Sequence, residues 1–453
     1  MLREPPSAAA SLTSVTDERP TLADVIDTLT LQAGYNTSLV IAGTTLLGLA
    51  AGVVGVFALL RKRSLMTDAL SHATLPGIAM AFLLAGVLGF DGRTLPVLLA
   101  GATVTGVIGV VCIQAILRYS RLHEDAAIGV VLSVFFGAGI VGLSYIQANA
   151  PEGSAGLKSF IYGQAATMQP RDVAMMAGLA FVSILGAVLF LKEFALVCFN
   201  EAFARVDGWP VGVIDLAMMG LVVLVTVAGL QAVGLIMVIA LLIIPAVAAR
   251  FWTERLWLLV LLAGVIGAAS GYLGSSISAL LPRKPAGAVI VLTAGAIFAI
   301  SMFFAPSRGV LAATLRRARL TLHIAGDHLL ELAHDRGTST LTRADIDSLA
   351  RLRGWSPWRR RLVTLGGRRA GLATSTDRGL TITEKGRARG ARVARNHALW
   401  EQYLVTHADV APSHVDWSVD QVEHVLSDEL IAELEAELAS RGVGIPTGKA
   451  GPA

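Results

Sequence analysis

Apolar runs of about twenty residues recur along the first two thirds of the chain, separated by short polar connections, and then stop. The runs at 38–60, 69–90, 95–117, 125–146, 172–191, 211–229, 231–249, 256–278 and 286–305 each approach the ~20 residues a helix needs to cross a bilayer. Nine spans are predicted. Only Gln231 and Gly234 interrupt the stretch 211–249, so eight is the alternative. Ahead of them, residues 21–33 place Leu22, Val25, Ile26, Leu29 and Leu31 among acids, a pattern for a short helix lying on the membrane surface. Residues 1–20 lack an apolar core and read as a lead-in, not as a cleaved signal peptide.

After Pro306 the pattern changes. Arg, Asp and His become frequent, and helical periodicity returns at 318–335, 343–353 and 356–366. Alternation at 379–383 predicts a strand, and a long helix follows at 384–406. Three helices and then a two-stranded ribbon predict a winged helix. The expected fold class is thus an all-α polytopic membrane protein with a C-terminal cytoplasmic winged-helix-like α+β domain. Its expected parts are 1–37 (lead-in and interfacial helix), 38–312 (membrane domain) and 313–453 (cytoplasmic domain).

Composition agrees with a membrane protein: 54% of 453 residues are hydrophobic and 15% charged. The net charge of +4 says less than its distribution. With the N-terminus outside, Arg61, Lys62, Arg63, Arg118, Arg121, Lys192, Arg205, Arg250, Arg255, Arg308, Arg316 and Arg317 lie in the cytoplasm. Outside remain only Arg93, Lys158, Arg171, Arg283 and Lys284, which is the bias that sets topology. Cys112 and Cys198, far apart in apolar sequence, form neither a disulfide framework nor a thiolate metal pair. Glycines 48, 52 and 55, and 101, 106 and 109, are spaced for close helix packing.

Chemistry concentrates in Ser64 to Leu84, SLMTDALSHATLPGIAMAFLL. Asp68, Ser71 and His72 fall at i, i+3 and i+4 and share one helical face. Pro76 bends that helix and deprives the His72 carbonyl of its helical partner. Ionisable groups in hydrocarbon mark a pathway by default; the alternative is an interfacial Asp68 and a packed His72. Lesser candidates are Asp215, Gln231, and Pro245, which frees the Leu241 carbonyl. In the loop 192–210, Phe199, Phe203 and Val206 recur at helical spacing around Ala204, with Asn200 as N-cap and Gly208 with Pro210 as terminator. Its apolar face must be buried, either on its own membrane domain or on a partner.

The segment DALSHATLPG closely resembles the D-A-x-S-H-A-x-L-P-G stretch of permease subunits of bacterial ABC importers for manganese, zinc and iron. EDAAIGVVLSVFF (Glu124 to Phe136), FNEAFARVDGWPV (Phe199 to Val211) and QAVGLIMVIALLIIPAVAAR (Gln231 to Arg250) resemble the same family. The resemblance runs over roughly 38–305. It implies that the loop helix is a coupling helix for a cytoplasmic ATPase subunit, that an extracytoplasmic metal-binding protein delivers the ion, and that two permease copies pair. Asp68 and His72 would then form a transient coordination shell. The chain has no G-x-x-x-x-G-K-[ST] loop, so it is expected to be no enzyme itself, with ATP hydrolysed by the partner.

RNHALWEQYLV (Arg395 to Val405) and VDQVEHVLSDEL (Val419 to Leu430) resemble the metal-bearing segments of iron- and manganese-dependent repressors of the diphtheria-toxin-repressor type. Residue by residue, this implies His397 and Glu401, with Asp420, Glu423 and His424, as ligands; the family more often has Glu or Cys at the position of Asp420. Imidazole and carboxylate at these spacings suit Mn(II), Fe(II) or Zn(II). The family's first-helix ligands would fall near His323 to Ala325, where nothing matches. The basic run Trp358 to Arg361 would attract phosphate, but tethering to a membrane argues against nucleic acid, and the tail reads as a regulatory or dimer-forming module.

The resulting expectation is an inner-membrane permease for a divalent transition metal, Mn(II) first, with Zn(II) or Fe(II) as alternatives. No tightly bound cofactor is expected beyond the cargo and a regulatory divalent ion. A membrane-tethered metal-sensing DNA-binding regulator and an ion-coupled secondary carrier are the competing classes.

Overall fold

The computed structural model describes residues 21–61, 64–89, 94–149, 168–232, 234–281, 284–377, 379–407 and 428–440. The chain divides into two compact units, Met1–Ala312 and Ala313–Ala453.

The first unit opens with α1 (Leu22–Leu29), started by a capping box in which Thr21 and Asp24 satisfy each other's backbone amides. Leu22 and Ile26 stay exposed on it. The 26-residue α2 (Tyr35–Leu60) follows. Its second half, Ala50 to Ala58, is buried without interruption, so α2 is the centre of the unit rather than a lipid-facing helix. Around it come α3 (Ser64–Ala73), α4 (Leu75–Val87), α5 (Leu95–Tyr119), α6 (Glu124–Asn149) and α7 (Pro170–Leu189). The loop that follows forms α8 (Leu191–Phe199) and α9 (Glu201–Val206). Then α10 (Val211–Ala232), α11 (Leu235–Arg250), α12 (Leu256–Leu280) and α13 (Ala286–Phe304) complete the unit.

Among the described residues, eight helices are long and apolar enough to cross a membrane. The ninth predicted span is shorter. Gly234 takes φ +88°, a backbone conformation open chiefly to glycine, and separates α10 from α11. At 16 residues, α11 reaches about 24 Å, and it runs through Pro245.

Glycine sets the closest helix approach. A methyl group on Gly48 would overlap the Gly267 carbonyl, and one on Gly52 the Ala263 carbonyl, so α2 and α12 meet backbone to backbone. Thr44 and Ser275 hydrogen-bond across this seam at 3.1 Å, a polar contact suited to an apolar solvent. Gly77 and Gly101 bring α4 onto α5 in the same way.

The second unit contains α14 (Val310–Asp335), β1 (Thr340–Thr342), α15 (Arg343–Leu352), α16 (Pro357–Arg369), β2 (Ala373–Thr376), β3 (Gly379–Ile382), α17 (Glu384–His407) and α18 (Asp428–Ser440). The predicted ribbon β2–β3 is antiparallel with Ser375 opposite Leu380. A third strand joins it, Leu341 of β1 pairing Leu380, which gives the sheet order β1-β3-β2. Leu330, Leu341, Ile346, Leu349, Val363, Leu380 and Ile382 form the core. The arrangement is a winged helix.

Candidate functional site

The span that carries the acid and the imidazole has a single-residue interruption at Thr74, just ahead of Pro76. Helical assignment lapses at Thr74, and Pro76 sits in the first turn of α4, where a missing amide proton costs nothing. Thr74 keeps a helical backbone (φ −76°, ψ −22°), so α3 and α4 continue as one apolar span, Leu65–Val87. The Thr74 hydroxyl donates to the Ser71 carbonyl at 2.6 Å.

Asp68 and His72 are brought together, Oδ1 to Nε2, at 3.4 Å. That is a loose contact. Their side chains are 40% and 20% exposed, and His72 Nδ1 is enclosed without a hydrogen bond. The imidazole stands edge-on to Phe136 of α6, centroids 4.9 Å apart, which fixes the ring plane. Ser71 is different: it is fully buried, and its hydroxyl donates back to the Thr67 carbonyl at 2.9 Å.

Asp215, in the first turns of α10, is not left open in this way. Arg61 Nε donates to its Oδ1 at 3.1 Å, and Gln114 Nε2 donates to its Oδ2 at 3.2 Å. The carboxylate is 6% exposed. Gln231 lies in the last turn of α10, and its side chain is outside what is described.

In the loop between α7 and α10 Asn200 caps α9, accepting from the Phe203 amide at 3.0 Å. Gly208 then turns the chain at φ +84°. Ala204 is fully buried, whereas Phe199, Phe203 and Val206 are 68%, 55% and 89% exposed. The apolar face of α9 is therefore not covered by its own unit.

In the second unit His397 of α17 does have a first-helix partner, one that sequence reasoning missed. Its Nδ1 lies 3.4 Å from Glu331 Oε1, and His328 Nδ1 lies 3.5 Å from Glu331 Oε2. Both come from α14, one to two turns beyond the window expected to supply them. His323, inside that window, instead meets Arg389, which grips Asp327 through Nε at 2.7 Å and Nη2 at 3.1 Å. Burial pushes the neighbouring Asp335 carboxyl up, and the Glu331 charge adds to it, against opposing effects of His334 and His397. Among the described residues no three His, Cys, Asp or Glu side chains converge on one metal position; the two imidazoles meet through Glu331. The side chain of Glu401, and Asp420, Glu423 and His424 altogether, lie outside the described residues.

Two family models match the chain, one within each unit. The ABC 3 transport family matches residues 33–305, and the iron dependent repressor, metal binding and dimerisation domain matches residues 383–442. The chain belongs to the ABC 3 transport family. It is 38% identical over 391 residues to the manganese transport system membrane protein MntC of Bacillus subtilis, covering 85% of this chain and 88% of that one. It is 42% identical over 292 residues to the zinc transport system membrane protein TroC of Treponema pallidum, covering 64% and 96%. Among solved structures, PsaBC from Streptococcus pneumoniae in complex with Fab superposes with a TM-score of 0.56 at 33% identity, covering 65% of this chain and all of the matched one.

Proposed function

We propose that this protein is the permease subunit of an ATP-driven importer that carries a divalent transition metal ion, Mn(II), into the cytoplasm. The observation that carries the reading is the Asp68–His72 pair: a carboxylate and an imidazole within a broken apolar span, loosely paired and part-exposed. Neutral imidazole and carboxylate are suitable donors for first-row divalent ions, and a shell of two protein groups completed by water binds weakly enough to release. Manganese is favoured because a relative matched over 85% of the chain is named for it. Zinc is the second reading, favoured by the relative named for zinc transport.

The remaining parts rest on membership of the family and, for the ATPase, on the exposed apolar face of α9. An ATPase subunit covers Phe199, Phe203 and Val206; an extracytoplasmic metal-binding protein supplies the ion; a second permease copy completes the pore. The arginine bias sets the N-terminus outside and the C-terminal unit in the cytoplasm of an inner-membrane protein. That unit senses the imported ion through His397, Glu331 and His328, with Glu401, Asp420, Glu423 and His424 as further donors, and regulates transport.

The test is uptake by vesicles carrying the chain with its ATPase. His72→Ala is expected to abolish uptake of radioactive Mn(II) without lowering the yield of folded protein. Unchanged uptake would overturn the assignment, and competition by Zn(II) or Fe(II) in the same assay ranks the cargo. If no ATPase co-purifies, the importer class itself falls.

A further inference from the structure

Among the described residues, Arg61 is the one guanidinium that ties the loop helix to the membrane helices. It caps the C-terminus of α2, and its side chain is only 9% exposed. Nη1 donates to Glu201 Oε2 of α9 at 2.9 Å and to the Val197 carbonyl of α8 at 3.1 Å. Nε donates to Asp215 of α10 at 3.1 Å, and Nη2 lies 3.1 Å from the same oxygen. Asp215 is in turn held by Gln114 of α5. One planar fork thus joins α2 to α8, α9 and α10, with α5 attached through Gln114 on Asp215, a geometry that a point-charge ammonium does not reproduce.

We propose that Arg61 is a positioning residue for transport: it transmits displacement of α9 to α3 and hence to the Asp68–His72 pair. The inference rests on the reading of α9 as the ATPase-facing helix. Two placements support it. Ala204 is the fully buried side chain of α9, so beyond that contact and the chain ends, a push on α9 reaches the membrane helices through Glu201 and Arg61. On the other side, α3 begins at Ser64, three residues after Arg61 in the chain, and bears Asp68 in its second turn. Asp215 then belongs to this connection and not to the cargo route, since both its oxygens already accept hydrogen bonds.

The experiment uses the full chain with its ATPase subunit in lipid vesicles, and measures ATP hydrolysed per ion imported. Arg61→Met should keep the ATPase bound and hydrolysing while uptake falls at least about tenfold, so that ATP consumed per ion rises by the same factor. Arg61→Lys should fall between, since it keeps the charge and loses the fork. Glu201→Gln should uncouple less, because the amide keeps an oxygen acceptor for Arg61 and the fork keeps Asp215 and the Val197 carbonyl. Should Arg61→Met fail to fold because Asp215 is stranded, Arg61→Met with Asp215→Leu removes the stranded charge and takes its place. An unchanged ratio of ATP to ion in the folded variant would overturn the proposal, as would loss of the ATPase subunit, which would make Arg61 an assembly contact. Uptake by the unmodified chain without any ATPase would refute the importer reading instead, whatever Arg61 does.

Discussion

The membrane unit holds two acid–base groupings, one around Arg61 and one around His72, and they are built oppositely. Around Arg61 each charged group has several partners: Asp215 accepts from two side chains, and Glu201 accepts from two arginines. Around His72 little is used: one 3.4 Å contact to Asp68 and an idle Nδ1. Saturation makes a buried ion network structural, because nothing is left for a ligand. Unfilled valence on part-exposed groups leaves room for a cargo ion. Chemical type alone does not separate the two, since each is a carboxylate beside a cationic or basic group.

The contrast is sharpest in stability. Asp215→Ala leaves the Arg61 guanidinium buried and partly unpaired, and is expected to cost about 3–5 kcal/mol, read as a large drop in the melting temperature of the purified chain. Gly48→Leu forces α2 away from α12 and is expected to cost about 1–3 kcal/mol or more, read in the same melt. Asp68→Asn removes a part-exposed pair worth roughly 0–1 kcal/mol, so melting should barely move while Mn(II) uptake collapses. If Asp68→Asn unfolds the protein as Asp215→Ala does, the distinction between the groupings fails.

Two finer predictions probe each end. His397→Ala in the full chain should lower the Mn(II) bound at equilibrium by the second unit, measured as metal per chain in a background of His72→Ala. At the other end, Glu201 is pushed up by burial but held below the usual carboxylate range overall by hydrogen bonds from Arg61 and Arg205. A depressed folded pKa contributes stability above the ordinary glutamate value and loses it only as pH falls through the lowered one. Coupling through Arg61 should therefore be flat between pH 6 and pH 8, roughly two units clear of a glutamate's ~4.3, when ATP per ion is followed across that range.

Local features are legible in the amino-acid pattern itself. The i, i+4 spacing of Asp68 and His72 and the break ahead of Pro76 follow from helix geometry, as do the Asn200 cap and the Gly208 turn. The helices of the second unit follow their periodicity to within a few residues, except that α14 starts earlier. Partnerships across the chain are not legible in this way. Arg61 and Asp215 stand 154 positions apart, and the sequence offers the first only as a topogenic charge and the second only as a polar group in a span. Glu331 escapes notice for a related reason: which turn of α14 faces His397 depends on how α14 and α17 cross, which one helix's pattern does not contain. The 231–249 run looks like a full span because hydropathy counts apolar residues, not the turn at Gly234.

The glycine seam carries a mechanical consequence. Where α2 and α12 touch carbonyl to Cα along Gly48, Gly52 and Gly267, no side chains stand between them to change rotamer and take up slack. The two helices must then travel as a single spine. Any opening to one side of the bilayer and then the other would fall to the helices hung on that spine, with α8, α9 and α10 attached at its Arg61 end.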